Sequence, residues 1–180
     1  MYPAPRALRK MFAFLNSMGY QPLYCSTEEE ARSKAIKLDE KYLFKIKQEV
    51  KNNTTSKINL YPYSQITRNK KPDDVMGFYI LHEGFIGVFD GELKEDDYDD
   101  IKDKKIVRNS DNGWLGITDK YWVTAIVPPK DKNFKSTFLY KDNFRANYIL
   151  NSPVIINPKS SSVNEVKLFV AAKEVETVDG

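Results

Sequence analysis

The sequence predicts a mainly β protein, an antiparallel β-sandwich with a short helical segment at its N-terminus. Short apolar runs recur along most of the chain and are separated by turn-forming residues, without helices alternating between them. Aromatic residues make up 13% of the chain, with 11 Tyr and 10 Phe, and these residue types favour strands. The stretch from Gly113 to Pro128 holds both tryptophans and is typical of a buried hairpin, which we expect to nucleate the core.

Composition narrows the class of protein. A chain of 180 residues with 41% hydrophobic residues and a mean hydropathy of −0.55 can form one domain with a core. The net charge of +3 is too balanced to indicate a nucleic-acid partner, and the single Cys25 excludes an internal disulfide. No apolar run reaches the ~18 residues that span a bilayer, and the basic residues near Arg6 precede too short an apolar region for a signal peptide. We therefore expect neither a membrane span nor an export signal in this chain.

Residues 1–38 are predicted to be helical, and the sandwich is expected to cover residues 39–180. Apolar side chains recur between residues 6 and 18 at spacings of three and four. A second helix would begin near Thr27, with Glu30 completing a capping box, and would run to about Leu38. The run of glutamates there suits a helix start, where the helix dipole favours negative charge, better than a metal site.

The first strands of the predicted sandwich follow. Residues 42–50 alternate apolar and polar side chains, and residues 58–63 form a short strand broken by Pro62. Residues 67–74 are predicted to be a loop. Two further strands, residues 76–81 and 85–89, flank His82.

The charged stretch from residue 92 to residue 105 is predicted to be a solvated loop. Its acidic cluster runs from Glu95 to Asp100. A calcium-binding loop would need ligands at alternating positions, a central glycine and a terminal glutamate, and this spacing lacks that pattern.

The central hairpin would consist of two buried strands joined by Thr118, Asp119 and Lys120. Pro128 and Pro129 end its second strand, because proline has no N–H to donate to a sheet. Beyond the hairpin we expect strands at residues 134–140, 144–150, 153–157 and 163–175.

No catalytic constellation is present. His82 is the single histidine and lacks the second histidine of a zinc-protease helix, and a nucleophilic pair with Cys25 would need the N-terminal segment to dock on the sheet. The sequence contains no nucleophile elbow, phosphate loop or dinucleotide fingerprint. We expect no enzyme activity, no cofactor and no bound metal.

Aromatic residues are the remaining candidates for a binding surface, for sugar, peptide or a lipid headgroup. The candidates are Tyr61, Tyr63, Trp114, Tyr121 and Trp122. Core packing is the simpler interpretation for Trp114 and Trp122 and a weaker one for the tyrosines, of which we select Tyr61 and Tyr63 for surface binding. A basic stretch from Lys102 to Arg108 could meet anionic lipid, but interleaved aspartates largely cancel its field.

The stretch from Gly113 through Trp122, followed by a small apolar run and Pro128, resembles the late part of the large periplasmic domain of the YidC membrane protein insertases. Flanking strands extend the resemblance to about residues 37–180. The resemblance implies that the chain is part of a β-super-sandwich, a fold also seen in galactose mutarotases. It marks as family motif residues, with a structural role, Gly113, Trp114, Asp119, Lys120, Tyr121, Trp122 and Pro128.

The resemblance further implies an accessory, non-catalytic domain of an insertase and chaperone on the periplasmic face of the bacterial inner membrane. Such a domain would assist insertion and folding of membrane proteins through protein–protein contacts. The implied partners are Sec translocon accessory subunits and nascent membrane proteins, met through a full-length protein held by membrane spans. No nucleic acid or small-molecule substrate is implied. The alternatives are a carbohydrate-binding or mutarotase-like β-sandwich, and a stand-alone interaction module.

Overall fold

The structure is a computed structural model and describes residues 20–21, 34–38, 43–72 and 82–173. Strands dominate these residues, and within them a single short helix, α1 (Tyr98–Asp103), follows the seventh strand. In chain order the strands are β1 (Tyr20–Gln21), β2 (Lys34–Leu38), β3 (Leu43–Lys51), β4 (Ile58–Leu60), β5 (Tyr63–Arg68), β6 (Gly84–Phe89), β7 (Glu92–Asp97), β8 (Ile106–Ser110), β9 (Gly113–Thr118), β10 (Trp122–Val127), β11 (Phe134–Lys141), β12 (Asn143–Leu150), β13 (Val154–Ile156) and β14 (Ser161–Ala172).

Two antiparallel sheets pack face to face, which confirms the predicted sandwich. The larger sheet has the strand order β2-β3-β14-β10-β9-β6-β7, and the smaller has the order β1-β5-β12-β11-β8. β4 and β13 form a separate two-stranded ladder. All pairings among the described strands are antiparallel.

The predicted hairpin lies in the middle of the larger sheet. Leu115 of β9 faces Ile126 of β10, and Thr118 faces Val123. β9 also pairs with β6, and β10 with β14, so each strand of the hairpin has a neighbour on both sides. The turn begins at Asp119, one residue later than predicted, because Thr118 still belongs to β9.

Aromatic rings fill the core between the sheets. The ring of Phe85 on β6 lies 5.0 Å from that of Phe138 on β11, and Tyr98 of α1 lies 4.8 Å from Phe144 on β12. Such tilted and edge-on ring pairs are favourable beyond their burial alone. Other buried core residues include Phe44, Ile66, Leu115, Ile117, Ile126, Phe134, Tyr148, Val166 and Val170.

The second predicted helix is wrong at its C-terminal end, because Lys34–Leu38 form the strand β2. β2 pairs with β3, with Ile36 opposite Ile46. A stretch of five residues fits both the helical and the strand period. It forms a strand here because pairing with β3 satisfies its backbone N–H and carbonyl groups. The first predicted helix at residues 6–18, the start of the second and the predicted strand 76–81 lie outside the described residues. The boundary between residues 38 and 39 stays a prediction.

The prediction of a loop at residues 92–105 is also wrong, because β7 and α1 occupy most of these residues. β7 pairs with β6 along its whole length. Tyr98 and Ile101 of α1 are buried at 1% exposure each, while the aspartates beside them face outward. Two buried anchors three residues apart are typical of a helix face, and the surrounding charges concealed this pattern.

An ion pair between the sheets covers one lateral edge of the sandwich. Nη1 and Nη2 of Arg108 on β8 lie 2.8 and 2.9 Å from the carboxylate oxygens of Asp96 on β7. The guanidinium also lies over the rings of Phe89 and Phe138. A bidentate pair with cation–π contacts fixes the two edge strands against each other. Arg108 therefore serves the fold rather than a lipid surface.

Candidate functional site

A groove opens where β4 and β13 lie near the end of the larger sheet, with a cavity volume of ≈ 240 Å³. Tyr61 and Tyr63, the residues predicted for surface binding, both line it, and they are 52% and 43% exposed. The other lining residues are Gln48, Glu49, Val50, Leu60, Pro62, Val154, Ile156, Ser162 and Asn164. The groove thus brings together four separate segments of the chain.

Pro62 explains why two neighbouring tyrosines remain at the surface. Proline cannot donate to a ladder, so β4 ends before it and β5 begins after it. Its carbonyl accepts a hydrogen bond from the backbone N–H of Leu150 at 3.0 Å, which ties this link to β12. The hydroxyl of Tyr63 donates to Oε1 of Gln65 at 2.5 Å. Partial burial raises the pKa of Tyr63, and the positive charge of Arg145 opposes that shift.

Polar side chains from β3 and β14 stand beside these apolar groups. Gln48 lies opposite Asn164, and Val50 lies opposite Ser162, in the antiparallel pair of the two strands. Nδ2 of Asn164 is shielded from solvent and has no hydrogen-bond partner among the described residues. The lining therefore combines tyrosine rings and aliphatic side chains with amide and hydroxyl groups, as in many binding sites.

Asn52 fixes the loop that borders the groove. Its side chain is fully buried, and Nδ2 donates to the carbonyls of Ser56 at 2.8 Å and Ile156 at 2.9 Å. Oδ1 accepts from the N–H and the hydroxyl of Thr54 at 3.0 and 2.7 Å. Because both ends of the amide are satisfied, the loop after β3 is tied to β13 and the groove is preformed.

The family motif residues do not line the groove. Trp114 and Trp122 are half-buried on adjacent strands, and Pro128 is buried directly after β10. Tyr121 lies in the hairpin turn and is 61% exposed, with Nζ of Lys120 at 5.1 Å from its ring centre. The two sets of residues predicted from the sequence are therefore separate in the structure.

Two glycines allow the hairpin strands to approach their neighbours. Gly113 has φ +132°, and a Cβ added there would lie 1.9 Å from the carbonyl oxygen of Val88. A Cβ on Gly116 would lie 2.2 Å from the carbonyl oxygen of Thr124. Any larger residue at either position would collide with backbone.

Asp119 anchors the hairpin turn from inside. Its carboxylate forms a buried ion pair with Arg68 and accepts a hydrogen bond from the hydroxyl of Tyr98 at 3.0 Å. Its backbone N–H donates to the carbonyl of Trp122 at 2.8 Å, which closes the turn. Arg68 ends β5 in the smaller sheet, so these three residues, the Asp119 cluster, join the two sheets.

The Asp119 cluster was not predicted from the sequence, because Arg68 and Tyr98 lie in stretches that were predicted to be loops. The neighbouring β-branched residues Ile66 and Thr67 were the available signal for a longer β5. The spacing of Tyr98 and Ile101 was the available signal for a helix packed on the core.

His82 is held by local contacts. Its Nε2 lies 2.8 Å from the carbonyl oxygen of Phe85, and its Nδ1 lies 3.7 Å from Oδ1 of Asp97. In the described part of the chain, no three His, Cys, Asp or Glu side chains are grouped so as to hold a metal ion. Cys25 lies outside that part. The described segments also contain no helix with the length and hydrophobicity to span a bilayer.

Comparison with known proteins identifies the class to which this sandwich belongs. A family model described as the YidC periplasmic domain matches residues 22–180. The chain belongs to the YidC periplasmic domain family. The match begins upstream of residue 37, where the resemblance was expected to start.

Curated relatives agree with this assignment, and each is named membrane protein insertase YidC. The protein of Pelagibacter ubique (strain HTCC1062) is 45% identical over 157 residues, which cover 87% of this chain and 28% of that protein. The protein of Brucella suis biovar 1 is 35% identical over 162 residues, with coverage of 86% and 26%. That of Allorhizobium ampelinum is 41% identical over 158 residues, with coverage of 82% and 25%. The chain thus spans about a quarter of the length of these relatives.

Proposed function

We propose that this chain is an accessory, non-catalytic domain of a membrane protein insertase on the periplasmic face of the bacterial inner membrane. It assists insertion and folding of membrane proteins through contacts with other polypeptides. The relatives are named as insertases, and this chain corresponds to about a quarter of them, which supports a role within a larger protein. Its partners are nascent membrane proteins and accessory subunits of the Sec translocon.

The groove is the observation that carries this proposal. Tyr61 and Tyr63 are exposed above an apolar lining on a preformed scaffold. Partly exposed aromatic residues next to a pocket are the usual anchors of protein interfaces. Among the motif residues, by contrast, the carboxylate of Asp119 is buried and bonded to Arg68 and Tyr98.

Site-specific photocross-linking in the full-length insertase tests the proposal. A photoreactive amino acid at position 61 should form adducts with a nascent membrane protein during its insertion. The same amino acid at position 121, another exposed tyrosine, serves as the matched control and should form fewer adducts. Equal or absent cross-linking at the two positions would refute the role of the groove in insertion.

A carbohydrate is the second candidate ligand, because the tyrosine rings lie beside the amide groups of Gln48 and Asn164. Rings that cover a sugar face and amides that bond its hydroxyls are a common combination for such ligands. Calorimetric titration of the chain with galactose and glucose tests this candidate. Binding that disappears in the Tyr61→Ala variant would favour it over polypeptide contacts.

A further inference from the structure

We infer that the groove is a docking site for an extended segment of another polypeptide, with alternating apolar side chains and carboxylates at its flanks. The inference rests on the proposed function and deepens it by naming the form and charge of the partner segment. Three features of the described residues support it: unpaired strand edges, an apolar lining suited to alternate side chains, and a rim of lysines.

The first feature is the pair of outer strand edges on β4 and β13. β4 and β13 are three residues long, and within the described residues each pairs only with the other. Each therefore has an outer edge whose backbone groups have no strand neighbour. Such edges accept extended peptides by strand addition, in which main-chain hydrogen bonds provide much of the affinity.

The lining has the spacing that an added strand requires. Leu60 and Val154 face each other in the β4–β13 ladder, and both line the groove together with Tyr61 and Tyr63. An extended segment points every second side chain to the same side, so alternate apolar side chains would enter the groove. The volume of ≈ 240 Å³ lies below the roughly 300 Å³ at which small-molecule pockets begin, which favours a few side chains over an enclosed ligand.

Basic residues predominate around the groove, although one acidic residue, Glu49, belongs to its lining. Residues 51–63 and 151–162 frame the groove, and they contain three lysines, Lys51, Lys57 and Lys159, but no aspartate or glutamate. All three lysines are exposed. A positive rim attracts a partner that carries carboxylates on either side of its apolar residues. An uncharged sugar would gain no long-range electrostatic attraction from these lysines.

Peptide binding to the purified chain, measured by fluorescence anisotropy, tests the inference. The probe is a short synthetic peptide in which valine and leucine alternate with threonine, flanked by aspartates. One matched peptide has lysines at the flanks, and another has serine in place of the valines and leucines. We expect the first peptide to bind about tenfold more tightly than either matched peptide, because each loses one kind of complementary contact.

Substitutions in the groove test whether the peptide binds there. Leu60→Asp and Tyr61→Ala should each weaken binding of the aspartate-flanked peptide by about tenfold. Tyr121→Ala removes a comparably exposed ring from the hairpin turn and should leave the affinity unchanged. A double variant, Lys51→Glu with Lys57→Glu, should slow association and reduce its dependence on salt. Circular dichroism of each variant establishes that the sandwich is intact.

Several results would overturn the inference. They are equal affinity for all three peptides, unchanged affinity in a folded Leu60→Asp variant, or displacement of the peptide by galactose or glucose. Dimers of the chain that disappear in the Leu60→Asp variant would assign the groove to a second copy instead. If the peptides fail to bind while position 61 still cross-links to nascent chains in the insertase, the inference fails and the proposed function stands.

Discussion

The Asp119 cluster and the groove lie towards opposite ends of the same strands. β5 runs from Tyr63, which lines the groove, to Arg68, which pairs with Asp119. β14 runs from Ser162 at the groove to Ala172 beside the hairpin turn. At one end the polar groups are buried and bonded to each other, and at the other the apolar groups are exposed. The difference shows that Asp119, in the conspicuous sequence motif, joins the two sheets, whereas the less conspicuous Tyr-Pro-Tyr stretch lies at the surface, where we propose that a partner binds.

Removing the carboxylate of the Asp119 cluster should have the largest effect. Asp119→Ala removes the carboxylate that pairs with the buried guanidinium of Arg68 and should lower the free energy of unfolding by about 3–5 kcal/mol. Urea denaturation measures this change. Lys71→Ala, which breaks an exposed pair with Asp99, is the control and should cost about 0–1 kcal/mol. A loss at Asp119 no larger than that of the control would show that the cluster does not hold the sheets together.

At high pH, the buried Tyr148 and the groove residue Tyr63 should affect the stability of the fold to different extents. Burial raises the pKa of Tyr148 from 10.0 to about 12, so the folded state keeps its proton at a pH where the unfolded chain has lost it. Its contribution to stability is therefore complete below pH 10 and is lost as pH rises from about 10 to about 12. The free energy of unfolding should fall by roughly 2–3 kcal/mol over this range. Urea denaturation at successive pH values measures this loss. Tyr148→Phe should flatten this part of the profile more than Tyr63→Phe, and the reverse order would contradict the assignment.

The close approach of the β9 backbone to β6 can be tested by replacing Gly113 with alanine and comparing the result with the same replacement at Gly91. Gly113→Ala places a Cβ against the carbonyl of Val88 at positive φ and should destabilise the chain by roughly 1–3 kcal/mol. Gly91 also has positive φ, +87°, but an added Cβ there meets nothing within 4 Å. Gly91→Ala thus carries the conformational strain without the collision. Gly113→Ala should lower the melting temperature further than Gly91→Ala because it adds the collision, and identical melting temperatures would argue against the close approach.

The smallest effect on stability is expected in the groove. Tyr61 is half exposed, so Tyr61→Ala should change the free energy of unfolding by no more than about 0.5 kcal/mol. The same variant should lose most of the peptide affinity described above. A loss of stability comparable to that of Asp119→Ala would mean that Tyr61 is a structural residue and would remove the contrast between the two regions.

The sequence predicted what depends on local pattern. Alternation of apolar and polar residues located β3, short apolar runs located β6 and the hairpin of β9 and β10, and Pro62 marked the break that exposes the two tyrosines. The pattern failed where two periods fit equally, as in Lys34–Leu38, and where charge masked a short helix, as at Tyr98. The pairing of Arg68 with Asp119 was not predictable, because it depends on how two sheets stack.

The groove shows the same limit. Tyr61 and Tyr63 were selected as surface residues, but the sequence gives no sign that Ser162 and Asn164, about a hundred residues later, line the same cavity. That proximity follows from the pairing of β14 with β3, a contact distant in sequence. The two tyrosines on one short segment could therefore be predicted from the sequence, whereas the lining residues from distant strands could not.

The burial of Asn52 bears on how the chain is produced in eukaryotic cells. Asn52 and Asn53 each precede a threonine by two positions, so both are acceptor sequences for N-glycosylation. Nδ2 of Asn52 already donates to two carbonyls, and an attached glycan is incompatible with those bonds, whereas Asn53 is exposed. Folded chain secreted from such cells should carry one glycan at Asn53, detectable as a single added mass. The carbonyl of Asn53 accepts a bond from the rim residue Lys159, so that glycan would lie on the loop that borders the groove, and Asn53→Gln removes it from chain secreted for partner screens.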